Sequence, residues 1–194
     1  MLRIHLISIV DPPLMAGARR KISRLKGSFK SMSFDAGKAE KWWSAPQAGD
    51  VVWCWTTRVS PPEPGPVQHP ALIYRVRYHD SHQGGYKVWL APGTSQKVEK
   101  LFEGDFLIGI PSSDGTRSEI LQEKSALVAA GLSKPTKFQL GQLVWIDYNS
   151  EFFPSCDRLG KLDLTQEFLR MRLKRVQECD VVKGILLRES TGSR

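Results

Sequence analysis

The sequence predicts a mainly β (α+β) fold, a small and strongly bent β-barrel with an N-terminal helical segment and a C-terminal helix. Several short runs rich in Val, Trp, Ile and Thr are separated by turn residues. Residues 71–91 alternate like a hairpin, and residues 163–179 show amphipathic helical spacing. Short strands closed by one late helix are typical of such a barrel.

The domain begins with a helical segment and a first strand. "FDAGKAEKWW" (34–43) has helical spacing, and Asp35 offers a capping carboxylate near its start. Gly49 then supplies a turn into "VVWCWTT" (51–57), whose residues favour a strand. Residues 58–69 contain four prolines, which lack the donor that a strand ladder needs. We therefore predict a long exposed loop there.

The predicted hairpin has two different faces, because side chains alternate along a strand. One face carries Leu72, Tyr74, Val76 and Tyr78. The other face carries Ile73, Arg75, Arg77 and His79. "HDSHQGG" (79–85) forms the turn, and "YKVWLA" (86–91) is the returning strand.

The later elements include two strand-like segments, 106–110 and 138–148, and a segment at 124–132 that fits a helix or a strand. The clearest helix, 163–179, has an apolar face formed by Leu164, Phe168, Met171 and either Leu173 or Val176. Its other face is basic and is formed by Arg170, Arg172, Lys174 and Arg175. Such a face is more often solvated than bound to nucleic acid. We predict a barrel domain with this helix at 42–186 and a loose tail at 187–194.

The net charge of +8 is concentrated near the N-terminus. Residues 1–41 contain nine Lys/Arg against three Asp/Glu, whereas the remaining residues contain nineteen against seventeen. A basic arm of this kind suits a polyanion such as nucleic acid. It equally fits a solvated tail, and Met32 offers an alternative start of the protein.

The residue pattern predicts a cytoplasmic protein without a membrane-spanning segment. No run approaches the ~18 apolar residues of a transmembrane helix. The apolar start lacks the preceding basic residues of a signal peptide. We interpret Cys54, Cys156 and Cys179 as free thiols, since their number is odd and their spacing fits no metal site. His79 and His82 fit a surface turn, so no metal and no cofactor are predicted.

A series of short motifs carries the functional information. It runs "GDVVWCW" (49–55), the proline loop, "HPALI" (69–73), the hairpin and "PGTSQ" (92–96). In this order the chain resembles the MazF/PemK (CcdB-like) family of bacterial toxins, most specifically over residues 49–98. Residues 1 to about 40 lie outside the resemblance.

The resemblance implies a homodimeric SH3-like barrel that cuts single-stranded RNA without a metal and is neutralised by a cognate antitoxin protein. The RNA 2′-hydroxyl attacks the neighbouring phosphorus, so the site must move protons and stabilise phosphoryl charge. The family's hydroxyl-amide turn is matched by Thr94, Ser95 and Gln96. Its arginine before the proline is replaced by His69.

The histidine permits two interpretations. It titrates near neutrality and suits a general acid or base, but it lacks the permanent charge and the fork of a guanidinium. Arg75 or Arg77 would restore that charge if strand twist brings either to Thr94. By the resemblance His69, Thr94 and Ser95 are catalytic. The substrate-binding residues would be Gln96, Lys97, Arg58, Arg75 and Arg77.

Two other functions stay open. If the site has lost its activity, the same barrel is a non-catalytic module that binds nucleic acid or protein. A gyrase poison, as in CcdB-like relatives, is less favoured because the tail "RESTGSR" offers no suitable residues. Among the six tryptophans, Trp55 beside the proline loop is the best candidate for stacking on bases.

Overall fold

The structure is a computed structural model that describes residues 45–56, 62–79, 85–110, 115–154 and 158–191. The basic arm, the predicted helix at 34–43, Arg58, His82 and Cys156 lie outside the described residues. Within this part of the chain, no helix is both long and apolar enough to cross a membrane.

The predicted mainly β fold is confirmed: a strongly curled antiparallel sheet forms a half-barrel, accompanied by three helices in the described chain. The strands are β1 (Asp50–Thr56), β2 (Pro64–His79), β3 (Gly85–Thr94), β4 (Asp105–Ile108), β5 (Thr136–Gln139), β6 (Val144–Asp147) and β7 (Arg158–Lys161). The helices are α1 (Arg117–Ala129), α2 (Glu167–Gln177) and α3 (Asp180–Thr191), with a 3-10 turn at Leu140–Gln142. The strand order is β4-β5-β3-β2-β1-β7, and β6 also pairs with β3.

β3 is the central strand of the described sheet because it pairs with three strands, whereas every other strand pairs with one or two. Along one edge it forms the predicted hairpin with β2, in a register from Ala71 opposite Pro92 to His79 opposite Gly85. Along the other edge it pairs first with β6 and then, at Gly93 and Thr94, with β5. The C-terminal end of β3 therefore lies where the part of the sheet that contains β6 meets the part that contains β5 and β4.

A β-bulge in β2 makes part of the predicted alternation wrong. The register with β3 shifts between Ile73 and Arg75, so the side-chain order changes there. Val76 packs with Ile73 in one cluster, whereas Tyr74 belongs to the other cluster and Arg75 lies over its ring. Simple alternation cannot show an extra residue that is accommodated in only one strand.

Apolar side chains form two clusters on the two faces of the sheet. The larger contains Leu72, Trp89 and Phe138 together with residues of all three helices. The smaller contains Cys54, Ile73 and other side chains from β1, β2, β3 and β6. Burial raises the pKa of the Cys54 thiol, which therefore stays protonated within the smaller cluster.

A tight turn at Gly49 and Asp50 starts the sheet. Gly49 has a φ of +91°, and a Cβ at this position would lie 2.2 Å from the Leu162 carbonyl oxygen. The Asp50 carboxylate is buried, accepts from the backbone N–H of Gln47 at 2.8 Å and pairs with Arg158 at 3.1 Å. The "GD" motif thus performs a structural role at this turn.

Several predicted boundaries differ from the structure. The predicted proline loop is wrong at 64–69, because these residues already belong to β2 and Pro64 pairs with Thr56 at an irregular end of the ladder. The open segment 124–132 is part of α1 up to Ala129. The predicted helix at 163–179 is α2, and a further helix that was not predicted, α3, follows it and includes residues 187–191 of the predicted loose tail.

The predicted faces of the last helix are also partly wrong. Leu169 and Leu173 are the buried residues of α2, whereas Met171 is half exposed. Arg172 does not belong to a solvated basic face. Its guanidinium pairs with the buried Glu123 of α1 and donates to the Leu107 carbonyl oxygen at 2.7 Å.

Candidate functional site

His69 and Thr94 lie on neighbouring strands of the central hairpin. His69 pairs with Cys54 of β1, and Ala71, two residues later, pairs with Pro92 of β3. Continuing that register by two residues sets His69 opposite Thr94, and opposed residues of antiparallel strands share a face. The His69 side chain is exposed, so its imidazole is accessible to a substrate.

Gly93 keeps the two strands close at this point. A Cβ on Gly93 would lie 2.7 Å from the Pro70 carbonyl oxygen and 2.9 Å from the Phe138 ring. Any larger side chain would therefore push β3 away from the strand that carries His69. The glycine of the "PGTSQ" motif thus permits the approach of the two candidate catalytic segments.

The predicted hydroxyl-amide turn is present after β3. The Thr94 hydroxyl oxygen accepts a hydrogen bond from the Gln96 backbone N–H at 3.1 Å. This contact leaves the hydroxyl proton of Thr94 to donate to another acceptor. Thr94 is half-buried, whereas Ser95, Gln96 and Lys97 are exposed. The turn therefore presents a hydroxyl and an amide side chain towards solvent, with Thr94 held by its own backbone.

Lys97 adopts a conformation that is unusual for a lysine. Its φ is +49°, and its carbonyl oxygen accepts from the Lys100 N–H at 3.0 Å. The left-handed backbone reverses the chain directly after the Thr94 turn. The Lys97 ammonium is exposed close to the turn, as a substrate-binding role requires.

A buried ion pair stabilises the segment that follows the Thr94 turn. Lys137 of β5 lies opposite Thr94 and pairs with Asp105 at 3.1 Å, and both side chains are less than 5% exposed. Lys137 also donates to the Lys100 carbonyl oxygen, and Asp105 accepts from the Phe102 N–H at 3.0 Å. The Lys137 ammonium lies 5.1 Å from the Phe102 ring centroid.

Sequence analysis missed Lys137. The stretch "KPTKFQL" (134–140) contains no motif that marks Lys137, and the partners of Lys137 lie more than thirty residues earlier in the chain. Only the pairing of β5 with β3 brings it beside Thr94. Asp105, the first residue of β4, likewise carries no signal of its own in the sequence.

Arg75 and Arg77 do not join the His69–Thr94 face. They lie opposite Trp89 and Lys87, five and seven residues from Thr94 along β3. At about 3.3 Å per residue these separations are roughly 16 and 23 Å. Arg75 shares its face with Trp89, whereas Thr94 is in phase with Leu90 on the other face. The twist of the hairpin therefore does not bring Arg75 or Arg77 to Thr94. Neither side chain restores the charge of the arginine that His69 replaces.

The two arginines instead line a separate cleft of about 420 Å³. Arg75 lies over the rings of Tyr74 and Trp89, at 5.7 and 5.4 Å from their centroids. Arg77 lies 4.7 Å from the Trp145 centroid and pairs with Glu189 of α3 at 2.6 Å. The remaining wall is formed by Pro46, Gln47, Ala48 and Val76.

The other candidate residues can be placed only in part. Trp55 is half-buried on β1, and its backbone N–H donates to the Phe152 carbonyl oxygen at 2.7 Å. Arg170, Lys174 and Arg175 remain exposed on α2. Across the described ranges, no group of three or more His, Cys, Asp or Glu side chains is arranged to hold a metal ion.

Comparison of the chain with protein-family models and with curated proteins gives no match. The functional interpretation therefore depends on the motif resemblance and on the geometry of the His69–Thr94 face.

Proposed function

We propose that the protein is an endoribonuclease that cuts single-stranded RNA without a metal, as the MazF/PemK resemblance implies. The observation that carries the proposal is the β2–β3 register, which runs to Ala71 opposite Pro92 and, continued by two residues, would set His69 opposite Thr94 on one face of the hairpin. A titratable ring and a hydroxyl-bearing turn, both open to solvent, are what an RNA-cleaving site needs.

The reaction uses the RNA's own nucleophile. The neutral imidazole of His69 accepts the proton of the 2′-hydroxyl, whose oxygen attacks the adjacent phosphorus. The bond from phosphorus to the 5′ oxygen breaks, leaving a 2′,3′-cyclic phosphate, and water returns a proton to that 5′ oxygen. The Thr94 hydroxyl and the Gln96 amide donate to the phosphoryl oxygens, where negative charge grows. Ser95 and Lys97 contact the flanking phosphates.

Partners follow from the same proposal. The protein would act in the cytoplasm as a homodimer with an SH3-like barrel, and a cognate antitoxin protein would block its RNA groove. Its activity in the absence of that antitoxin would inhibit growth. Arg58, which lies outside the described residues, would hold a further phosphate of the strand.

A second candidate function is a binding module without catalysis. It is favoured by the position of Arg75 and Arg77, which lie roughly 16 Å or more along the hairpin from the Thr94 turn. Without an arginine at the phosphate, the same face would bind nucleic acid or protein and leave it intact.

The experiment incubates the full chain with a long single-stranded RNA in EDTA and maps the ends of the products. Wild type is expected to give discrete cuts with 5′-hydroxyl and cyclic phosphate ends. His69→Ala and Thr94→Ala should each slow cutting by about 100-fold or more. Thr191→Ala, an exposed threonine on α3, is the matched control and should cut normally.

The variant His69→Arg tests the role of the imidazole. It restores the permanent charge that the resemblance leads us to expect there, but a guanidinium stays protonated, so cutting that depends on His69 as the proton acceptor should be lost. RNA that is bound by wild type but never cut would support the binding module. Cutting that survives His69→Ala would contradict the proposed site.

A further inference from the structure

The Arg75–Arg77 cleft lies on the opposite face of the hairpin from His69 and Thr94, so the proposed cleavage does not explain it. Both guanidinium groups lie over aromatic rings, at 4.7–5.7 Å from the ring centroids, and these contacts restrict their movement. A guanidinium held in this way loses less conformational entropy when it binds a ligand. The cleft is thus preorganised for recognition.

Arg75 is available for an anion. Its side chain is exposed, and its guanidinium makes no ion pair with any residue in the described part of the chain. One face of the guanidinium is covered by Tyr74 and Trp89, whereas its edge carries N–H donors in a fork that matches phosphate or carboxylate oxygens. The position therefore suits an oxyanion bound through two parallel hydrogen bonds.

Arg77 suits a flat, uncharged group. Its guanidinium lies 4.7 Å from the Trp145 ring centroid, and Glu189 already neutralises much of its charge at 2.6 Å. The side chain is still 51% exposed, so part of it is accessible to a ligand. Nucleobases stack on arginine planes as they do on aromatic rings.

We propose that this cleft binds a nucleotide, with its phosphate on Arg75 and its base stacked on the outer face of Arg77. Pro46 and Val76 provide apolar contacts for the sugar. The cleft volume of about 420 Å³ falls within the usual range for small-molecule sites. The nucleotide is either free or one unit of a single-stranded RNA, and the site exists whether or not the protein cuts RNA.

The test titrates 5′-AMP into the full-length His69→Ala protein by calorimetry, since this variant is expected to cut RNA at least about 100-fold more slowly. Inorganic phosphate and adenosine, the two halves of AMP, should each bind at least tenfold more weakly. Arg75→Gln should weaken AMP binding at least tenfold, and Arg75→Lys, which keeps the charge but not the fork, should lie between. Arg170→Gln removes an exposed arginine from α2 and is the matched control.

Competition with a ten-nucleotide RNA identifies the source of the nucleotide. If the RNA displaces bound AMP at a lower concentration than free AMP itself does, the cleft holds a unit of an RNA strand. AMP binding that the RNA does not displace would show a free nucleotide. The proposal is overturned if AMP does not bind, or if Arg75→Gln and Arg170→Gln weaken its binding equally.

Discussion

Replacing Lys137 with methionine is expected to lower the free energy of unfolding by about 3–5 kcal/mol, because it leaves a buried carboxylate without its partner. The Lys137 and Asp105 side chains are 4% and 3% exposed, and their charged atoms lie 3.1 Å apart. The variant also loses the hydrogen bond to the Lys100 carbonyl oxygen. Because a domain of this size melts about 2–4 °C lower for each kcal/mol lost, Tm should fall by roughly 6–20 °C.

A double variant tests the physical reason. Asp105→Asn keeps an acceptor for the Phe102 N–H but removes the buried charge. Lys137→Met combined with Asp105→Asn should therefore be more stable than Lys137→Met alone, with a coupling free energy of about 0.5–3 kcal/mol. Urea unfolding followed by circular dichroism gives all of these values.

The control is a pair on the same sheet that is open to solvent. Lys87 and Asp147 lie 3.7 Å apart with side chains 42% and 60% exposed, so Lys87→Met should cost less than about 1 kcal/mol. If Lys137→Met costs no more than Lys87→Met, the reasoning from buried charge is refuted.

Three further predictions concern the sheet. Gly93→Ala should destabilise by about 1–3 kcal/mol in urea unfolding, because its Cβ would lie 2.7 Å from the Pro70 oxygen and 2.9 Å from the Phe138 ring; an unchanged midpoint would contradict the close approach. The raised pKa of Cys54 predicts that stability falls as pH rises above about 9, since only the unfolded state then loses the thiol proton. The Cys54→Ala variant should show a shallower loss between pH 8 and 10, and equal slopes would refute this. Tyr74→Phe removes the acceptor of a hydrogen bond from α2 and should cost about 1 kcal/mol by the same assay, whereas an unchanged value would show that this bond adds nothing.

The fold was predictable where the local pattern of residues determines the secondary structure. The hairpin follows from alternation at 71–91 and from the Gly-containing turn, and β1 follows from a run of β-formers after Gly49. The prediction of a loop was wrong at 64–69 because it relied on the prolines. A strand tolerates proline where its hydrogen-bond ladder is irregular or lies at an edge. The bulge at Ile73–Arg75 was invisible because it depends on two strands at once.

The candidate site was predictable only in its linear motifs. The turn at Thr94 and the position of His69 are readable because they are contiguous with the strands that carry them. From the sequence, Arg172 was assigned to a solvated face. In the structure it pairs with Glu123, which lies far away in the sequence. Lys137 and the cleft around Arg75 arise from strand pairing and packing, which periodicity cannot show.

The central position of β3 has a consequence during synthesis. The hairpin of β2 and β3 is complete at residue 94, but the strands that cover the other edge of β3 extend to residue 147. At about 5–20 residues per second the ribosome takes several seconds to add them. Throughout that interval the nascent chain carries an unpaired edge that can pair with another chain. Products truncated before β5 should therefore aggregate or recruit chaperones, whereas chains that extend beyond β6 should not.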